Sequence, residues 1–424
     1  MTEMTRRGFG KAAGLAAAPA LLAGCSTGAT RTAQQVKGIE PWEVTGRALA
    51  GLGGFDTTLR DFMRSRDISR GQLAVVRRGR LVLSRGYTRA DLSHSDGTGP
   101  TQPDSLFRIA SISKPVTATA VLRLVQDGKL RLGDRAAELL GLPTDADPRL
   151  SKVTVLRLLQ HLGGWDRSVT PDPMFRDAAI ARSLGVELPV SQANIMKYVS
   201  AAELDHAPGK QYAYSNYGYL LLGRIIEKVT GQSYDEYVRR AVLEPRGITR
   251  MRLGRTLTEA PGEVPYESIY RGTTVFDDSG EKVPSPYGAW NLENMDSHGG
   301  WLATAMDLTR FAGIYDGGTS VLGSSSIERA FAEPETGIND NGWYYGCGWL
   351  VRPVTGGLNT WHTGGLPGTY TLLVRRYDGL SWAVLFNQRQ EGDAPSFSAI
   401  DSLLHKAANA VKKWPTGDLT PEYF

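Results

Sequence analysis

Phe107-Arg108-Ile109-Ala110-Ser111-Ile112-Ser113-Lys114-Pro115 is the stretch on which the reading turns. Ser111 and Lys114 stand three residues apart, so on a helix they share a face and the amine reaches the hydroxyl. Pro115 is tolerated only in a first helical turn, which sets Ser111 at or just before a helix start. There the positive end of the helix dipole favours a developing alkoxide. The following Val116-Thr-Ala-Thr-Ala-Val-Leu122 is apolar enough to be buried. A lysine at such a junction is desolvated, and loss of water lowers its pKa toward the range of a general base.

Alone, Ser-x-x-Lys is noise: about one match is expected by chance in a chain of this composition. Two further motifs follow. Tyr214-Ser215-Asn216 lies between Pro208-Gly209 and Tyr219-Leu-Leu-Leu-Gly223. A phenol near a cationic lysine ionises more readily and takes a proton from serine. Asn216 offers an amide donor and acceptor to a substrate or to Lys114. His362-Thr363-Gly364-Gly365 leads into the expected strand Thr369–Val374. Glycines beside a strand let a substrate lie against the backbone, whose N–H groups point at a carbonyl oxygen. The three motifs in this order are expected about 0.02 times by chance.

The pattern around them predicts the architecture. Gln72–Val76 and Leu81–Arg85 form a hairpin with Gly79 in its turn, and Thr369–Val374 pairs with Trp382–Phe386 across Tyr377-Asp378-Gly379. Pro41 to about Asp67 carries an amphipathic helical spacing interrupted by glycines, and residues 396–412 read as a closing helix. The expected fold class is α/β (α+β): an α/β core from residues 41–115 and 290–412, with a mainly helical insertion at 116–289.

The chain of 424 residues is 41% apolar and carries 48 basic against 44 acidic side chains, a net charge of +4. No basic block or aromatic-basic stripe suggests nucleic acid as a partner. The two cysteines, Cys25 and Cys347, sit in no CxxC or Cys/His cluster, so redox and zinc readings are weak. No calcium loop or His-Glu-x-x-His occurs, and neither a metal nor a cofactor is expected.

The first residues read as an address. Arg6-Arg7-Gly8-Phe9-Gly10-Lys11 resembles a twin-arginine export signal, and the apolar run Ala12–Ala23 is too short for a membrane span. Leu22-Ala23-Gly24-Cys25 resembles a bacterial lipobox, which implies a signal peptide at 1–24, lipidation at Cys25 and a linker at 25–40. The protein is therefore expected outside the cytoplasmic membrane, either tethered by lipid or released.

Together, Ser-x-x-Lys, Tyr-x-Asn and Lys/His-Thr-Gly resemble the class C β-lactamase and penicillin-binding-protein family of serine hydrolases. The likeness extends over residues 45–412 and includes Leu156–Leu162 with Gly163-Gly164, Pro208-Gly209-Lys210, Gly299-Gly300-Trp301-Leu302 and Asp307-Leu308. It implies an antiparallel sheet flanked by terminal helices, with an all-helical insertion after the nucleophile helix. It implies Ser111 as acylated nucleophile, Lys114 as proton relay, and Tyr214 as partner base and later acid. Asn216 would orient the substrate, and the N–H groups of Ser111 and Gly365, beside Gly364, would form the oxyanion hole. His362 stands where the family's β-lactamases have lysine, as in many of its esterases and peptidases; it is largely neutral at pH 7. No Gly-x-Ser-x-Gly elbow offers an α/β-hydrolase alternative.

Of the other histidines, His298, beside Gly299-Gly300, is a candidate lining of the cleft, while His94, His161, His206 and His405 read as structural or surface groups. Trp165 and Trp361 are candidate pocket walls. The expected activity is hydrolysis of an ester or amide of a small molecule or peptide through an acyl-enzyme on Ser111. Acyl transfer to an amine or alcohol is a rival, and a non-catalytic binding or sensing domain is a second.

Overall fold

The computed structural model describes residues 42–92 and 98–424. The signal peptide, Cys25, the linker and His94 lie outside the described residues. Eight antiparallel strands form one sheet in the order Trp42–Ala48, Arg80–Arg89, Arg70–Arg77, Leu380–Phe386, Thr369–Arg375, Gly357–Leu366, Leu350–Val354 and Tyr344–Tyr345. The central strand joins the two ends of the chain: Ala383 pairs with Ala74 on one side and Leu373 on the other.

The hairpin turn is Arg78-Gly79, both with positive φ, the two-residue geometry that matches strand twist. Leu380–Phe386 is buried throughout and apolar but for Ser381, because both sheet faces are covered. Leu380, Trp382, Val384 and Phe386 enter one core cluster, while Ala383 and Leu385 enter the other. On the first face lie the helices Gly53–Arg64 and Ala399–Ala410, the former burying Phe55, Leu59, Phe62 and Met63. Phe62 stacks on Phe386 at 5.4 Å between ring centroids. On the second face lie Ala305–Ala312, which packs on the two central strands, and the helix Ser113–Gln126.

One expectation fails at the start. Pro41–Asp67 is not one interrupted helix: Trp42–Ala48 is an edge strand paired with Arg80–Arg89, and the helix begins at Gly53. Trp42 and Val44 alternate with polar neighbours at period two, and Gly51 at φ +90° turns the chain between the elements. Between Ser113 and Val238 the longer elements are helices, chief among them Asn216–Thr230. Two short strands, Arg271–Thr273 and Lys282–Pro284, pair farther on.

Candidate active site

Ser111 lies in a 3₁₀ turn, Ala110–Ile112, leading directly into the helix Ser113–Gln126. Ala110 is held at φ +46°, in the left-handed region; such strain is kept only where surroundings over-determine it. Those surroundings are visible. Ile109 N donates to Trp301 O, and Ile109 O accepts from Thr371 Oγ1 at 2.9 Å. One residue earlier, the fully buried Arg108 pairs with Glu263 at 3.2 Å and donates to the carbonyls of Pro286 and Arg255.

Lys114, with no exposed surface, places Nζ 3.1 Å from Ser111 Oγ, 2.7 Å from Asn216 Oδ1 and 2.9 Å from His298 O. Burial drives its pKa well below the ordinary lysine value; Asp172 opposes that shift and Arg167 adds to it. Tyr214 lies beside Ser111 in the same cavity wall and presents its ring 4.7 Å from the lysine Nζ. The sequence expectation of an easily ionised phenol is overturned: desolvation outweighs the nearby charges and raises the Tyr214 pKa.

Ser215, the middle of Tyr-x-Asn, caps the helix Asn216–Thr230 by accepting from Gly218 N. The motif therefore fixes Asn216 in a first turn. Asn216 Nδ2 donates to Asp172 Oδ2 at 2.6 Å.

His362-Thr363-Gly364-Gly365 lies within the strand Gly357–Leu366 rather than in a turn before one. His362 Nε2 accepts from the Tyr345 hydroxyl at 2.9 Å, and Nδ1 donates to Thr363 O at 2.6 Å. Burial first, and Lys114 second, depress its pKa to about 3, so the ring is neutral. Gly364 is required by close approach: a Cβ there would meet Ile109 O at 2.2 Å and Thr371 Oγ1 at 2.3 Å. A Cβ on Gly365 would meet nothing within 4 Å.

A cavity of about 500 Å³ opens onto Ser111, with Tyr214, Trp361, His362, Gly364 and Gly365 in its walls. A second, of about 330 Å³, meets it at Tyr214 and Arg167 and reaches Asn216. Trp361 thus walls the Ser111 cavity, whereas Trp165 lines the second and packs edge-on against Tyr217 at 4.9 Å. His298 does not line the cleft. Its ring is buried, and it serves the site through its carbonyl, because the chain turns back at Gly299-Gly300.

His161, expected as a structural or surface group, is buried at the heart of the site. It accepts from Ser215 N at 3.2 Å and lies 4.3 Å from the Tyr214 ring and 4.4 Å from Tyr345. His206 pairs with Asp166 and His405 with Asp401. Sequence reasoning missed Arg167, Asp172 and Tyr345; the first two stand in an aperiodic loop that offers no signal. Among the described residues, no group of three or more His, Cys, Asp or Glu side chains gathers as metal ligands do.

The family model described as Beta-lactamase matches residues 55–403. Penicillin-binding protein 4 of Amycolatopsis lactamdurans is 30% identical over 293 residues, covering 65% of this chain and 71% of that one. Matches to fimbrial assembly proteins of Dichelobacter nodosus span only 33% of those proteins. An octameric penicillin-binding protein homologue from Pyrococcus abyssi superposes with a TM-score of 0.64 at 24% identity, covering 84% of this chain and 77% of that one. A D-amino acid amidase from Ochrobactrum anthropi SV3 superposes with a TM-score of 0.64 at 21% identity, covering 85% and 98%. With more than three quarters of its length matched by the family model, the chain belongs to the beta-lactamase family of serine hydrolases.

Proposed function

We propose that the protein cleaves an ester or amide through an acyl-enzyme on Ser111. The environment of Lys114 carries this reading. Two of its three partners, Asn216 Oδ1 and His298 O, are acceptors only and engage two N–H groups. The third direction faces Ser111 Oγ at 3.1 Å, and burial favours the uncharged amine, whose lone pair then takes the serine proton.

Ser111 Oγ bonds to the substrate carbonyl carbon, and the oxyanion lies between the N–H groups of Ser111 and Gly365. Tyr214, kept protonated by burial, gives its proton to the leaving oxygen or nitrogen as that bond breaks. The proton on Lys114 restores the phenol. Water, deprotonated by the same route, then releases the acid and frees Ser111. No metal or cofactor enters these steps.

A fluorophosphonate probe followed by peptide mass spectrometry tests the reading. Modification at Ser111, absent from Ser111→Ala and from Lys114→Met, is expected. Failure to label Ser111 restores the non-catalytic binding domain.

The second cavity favours acyl transfer as an alternative outcome, because it gives an acceptor amine or alcohol its own room beside Tyr214. Incubation with a thioester and graded amine concentrations decides; free acid alone at every concentration sinks the transferase. We further propose export by the twin-arginine route and anchoring through Cys25, on the order Arg-Arg, apolar run, cysteine. Cys25→Ala then leaves the membrane fraction.

A further inference from the structure

We infer that Arg167 selects acyl substrates carrying an anionic group, such as a carboxylate, and holds that group at the mouth of the Ser111 cavity. The inference deepens the acyl-serine reading above and rests on it. Among the described residues whose side chains line the roughly 500 Å³ cavity, Arg167 alone carries a fixed charge. The rest are tyrosines, tryptophans, small or aliphatic residues, and His362, which is neutral. The position where a family β-lactamase would carry a lysine therefore offers a ligand no charge, and Lys114 is buried with all its hydrogen-bonding directions engaged. An anion entering this cavity has one place to go.

Arg167 is exposed and makes no hydrogen bond or ion pair among the described residues. Its guanidinium lies 4.6 Å over the Tyr214 ring. Packing over the ring holds the group in place while leaving its donors free, and an arginine fork so held can take a carboxylate bidentately. The carboxylates on its own loop are committed elsewhere: Asp166 to Ser168 and His206, and Asp172 to Asn216.

The second cavity differs in sign. Asp166, Asp172, Glu203 and Asp205 line it, against Arg167 and Arg176. An anion is therefore steered away from that side and toward the uncharged, aromatic side that opens onto the nucleophile. Because Tyr214 and Ser111 line the same cavity, a guanidinium held over the Tyr214 ring reaches a substrate charge only a few bonds from the scissile carbonyl.

Two boronic acids that add reversibly to a nucleophilic serine test this without needing the natural substrate. 3-Carboxyphenylboronic acid and the neutral 3-carbamoylphenylboronic acid are compared by their protection of Ser111 from a fluorophosphonate. The full-length protein is expected to bind the carboxylate at least tenfold more tightly. Arg167→Gln brings the ratio of the two affinities close to one, and Arg167→Lys keeps part of it. High salt lowers the ratio in the native protein. A ratio near one in the native protein, or an undiminished ratio in Arg167→Gln, overturns the inference. So does an equal weakening of both compounds, which would mean that Arg167 acts only through Tyr214. Absence of any Ser111 labelling instead overturns the acyl-serine reading itself.

Discussion

Asp172 Oδ2 accepts a 2.6 Å hydrogen bond from Asn216 Nδ2, and that bond decides which end of the amide faces Lys114. With the amide nitrogen held by a carboxylate, only the carbonyl oxygen is left for the lysine.

Asp172 therefore positions Lys114, the proposed base, without touching Ser111. Asp172→Ala frees the amide to turn its NH2 toward Lys114, and kcat/KM on an activated ester is expected to fall by about 10²-fold. Asp172→Asn keeps the shape and removes the charge that raises the Lys114 pKa. Its acid limb in the profile of kcat/KM against pH should move to lower pH, since less favourable surroundings for the ammonium release its proton earlier. A limb left in place, or moved up, contradicts the linkage.

Gly364 and Gly365 are adjacent and chemically identical, yet they answer to different constraints. Gly364→Ala drives a methyl into Ile109 O, on the segment that carries Ser111. We expect it to cost about 1–3 kcal/mol and to lower the melting temperature together with activity. Gly365→Ala points its methyl into open space on the cavity wall. It should melt near the native temperature while obstructing bulky acyl groups more than an acetyl ester. Equal melting temperatures for the two variants would count against the close-approach account.

Arg108 and Glu263 are both buried, and the pair ties the segment before Ser111 to the loop after residue 255. Removing one partner strands the other: Arg108→Met should destabilise by about 3–5 kcal/mol. Replacing both with Met and Leu should recover much of that loss, because no unpaired charge then remains. Urea titration of the single and double variants decides; a double variant as unstable as the single excludes the stranded charge as the cause.

What the sequence made legible, and what it did not, follows from the range of the interactions. The strands at Arg70–Arg89 and Thr369–Phe386 have local signatures: apolar runs with glycine turns between them. Ser111 and Lys114 are one helical turn apart, so their contact was readable from spacing. The first edge strand was misread because Val44, Leu49 and Leu52 also fit a helical period, and only pairing with Arg80–Arg89 resolves the ambiguity. Which part of His298 faces the site depends on a reversal at two glycines and a lysine 184 positions earlier, information no local window contains. The Tyr214 pKa went the wrong way for a related reason. Proximity to lysine is visible in a motif, whereas full burial is a property of the assembled fold.

His362 gives the clearest test of burial. Its pKa near 3 lies below the ordinary value of 6.5, so between those pH values the unfolded chain binds a proton that the folded one refuses. Stability contributed by the neutral ring is complete above pH 6.5 and drains away as pH falls toward 3. Each pH unit in that window costs about 1.4 kcal/mol for this one group. His161 and His298, also pushed down chiefly by burial, steepen the same slope. His362→Gln keeps a polar partner for Tyr345 but does not titrate. Its melting temperature should therefore fall less steeply than the native one between pH 6.5 and 4, with the two curves running parallel above pH 7. Curves parallel throughout would mean that the histidine takes up its proton in the folded state, and the neutral His362–Tyr345 hydrogen bond would have to be abandoned.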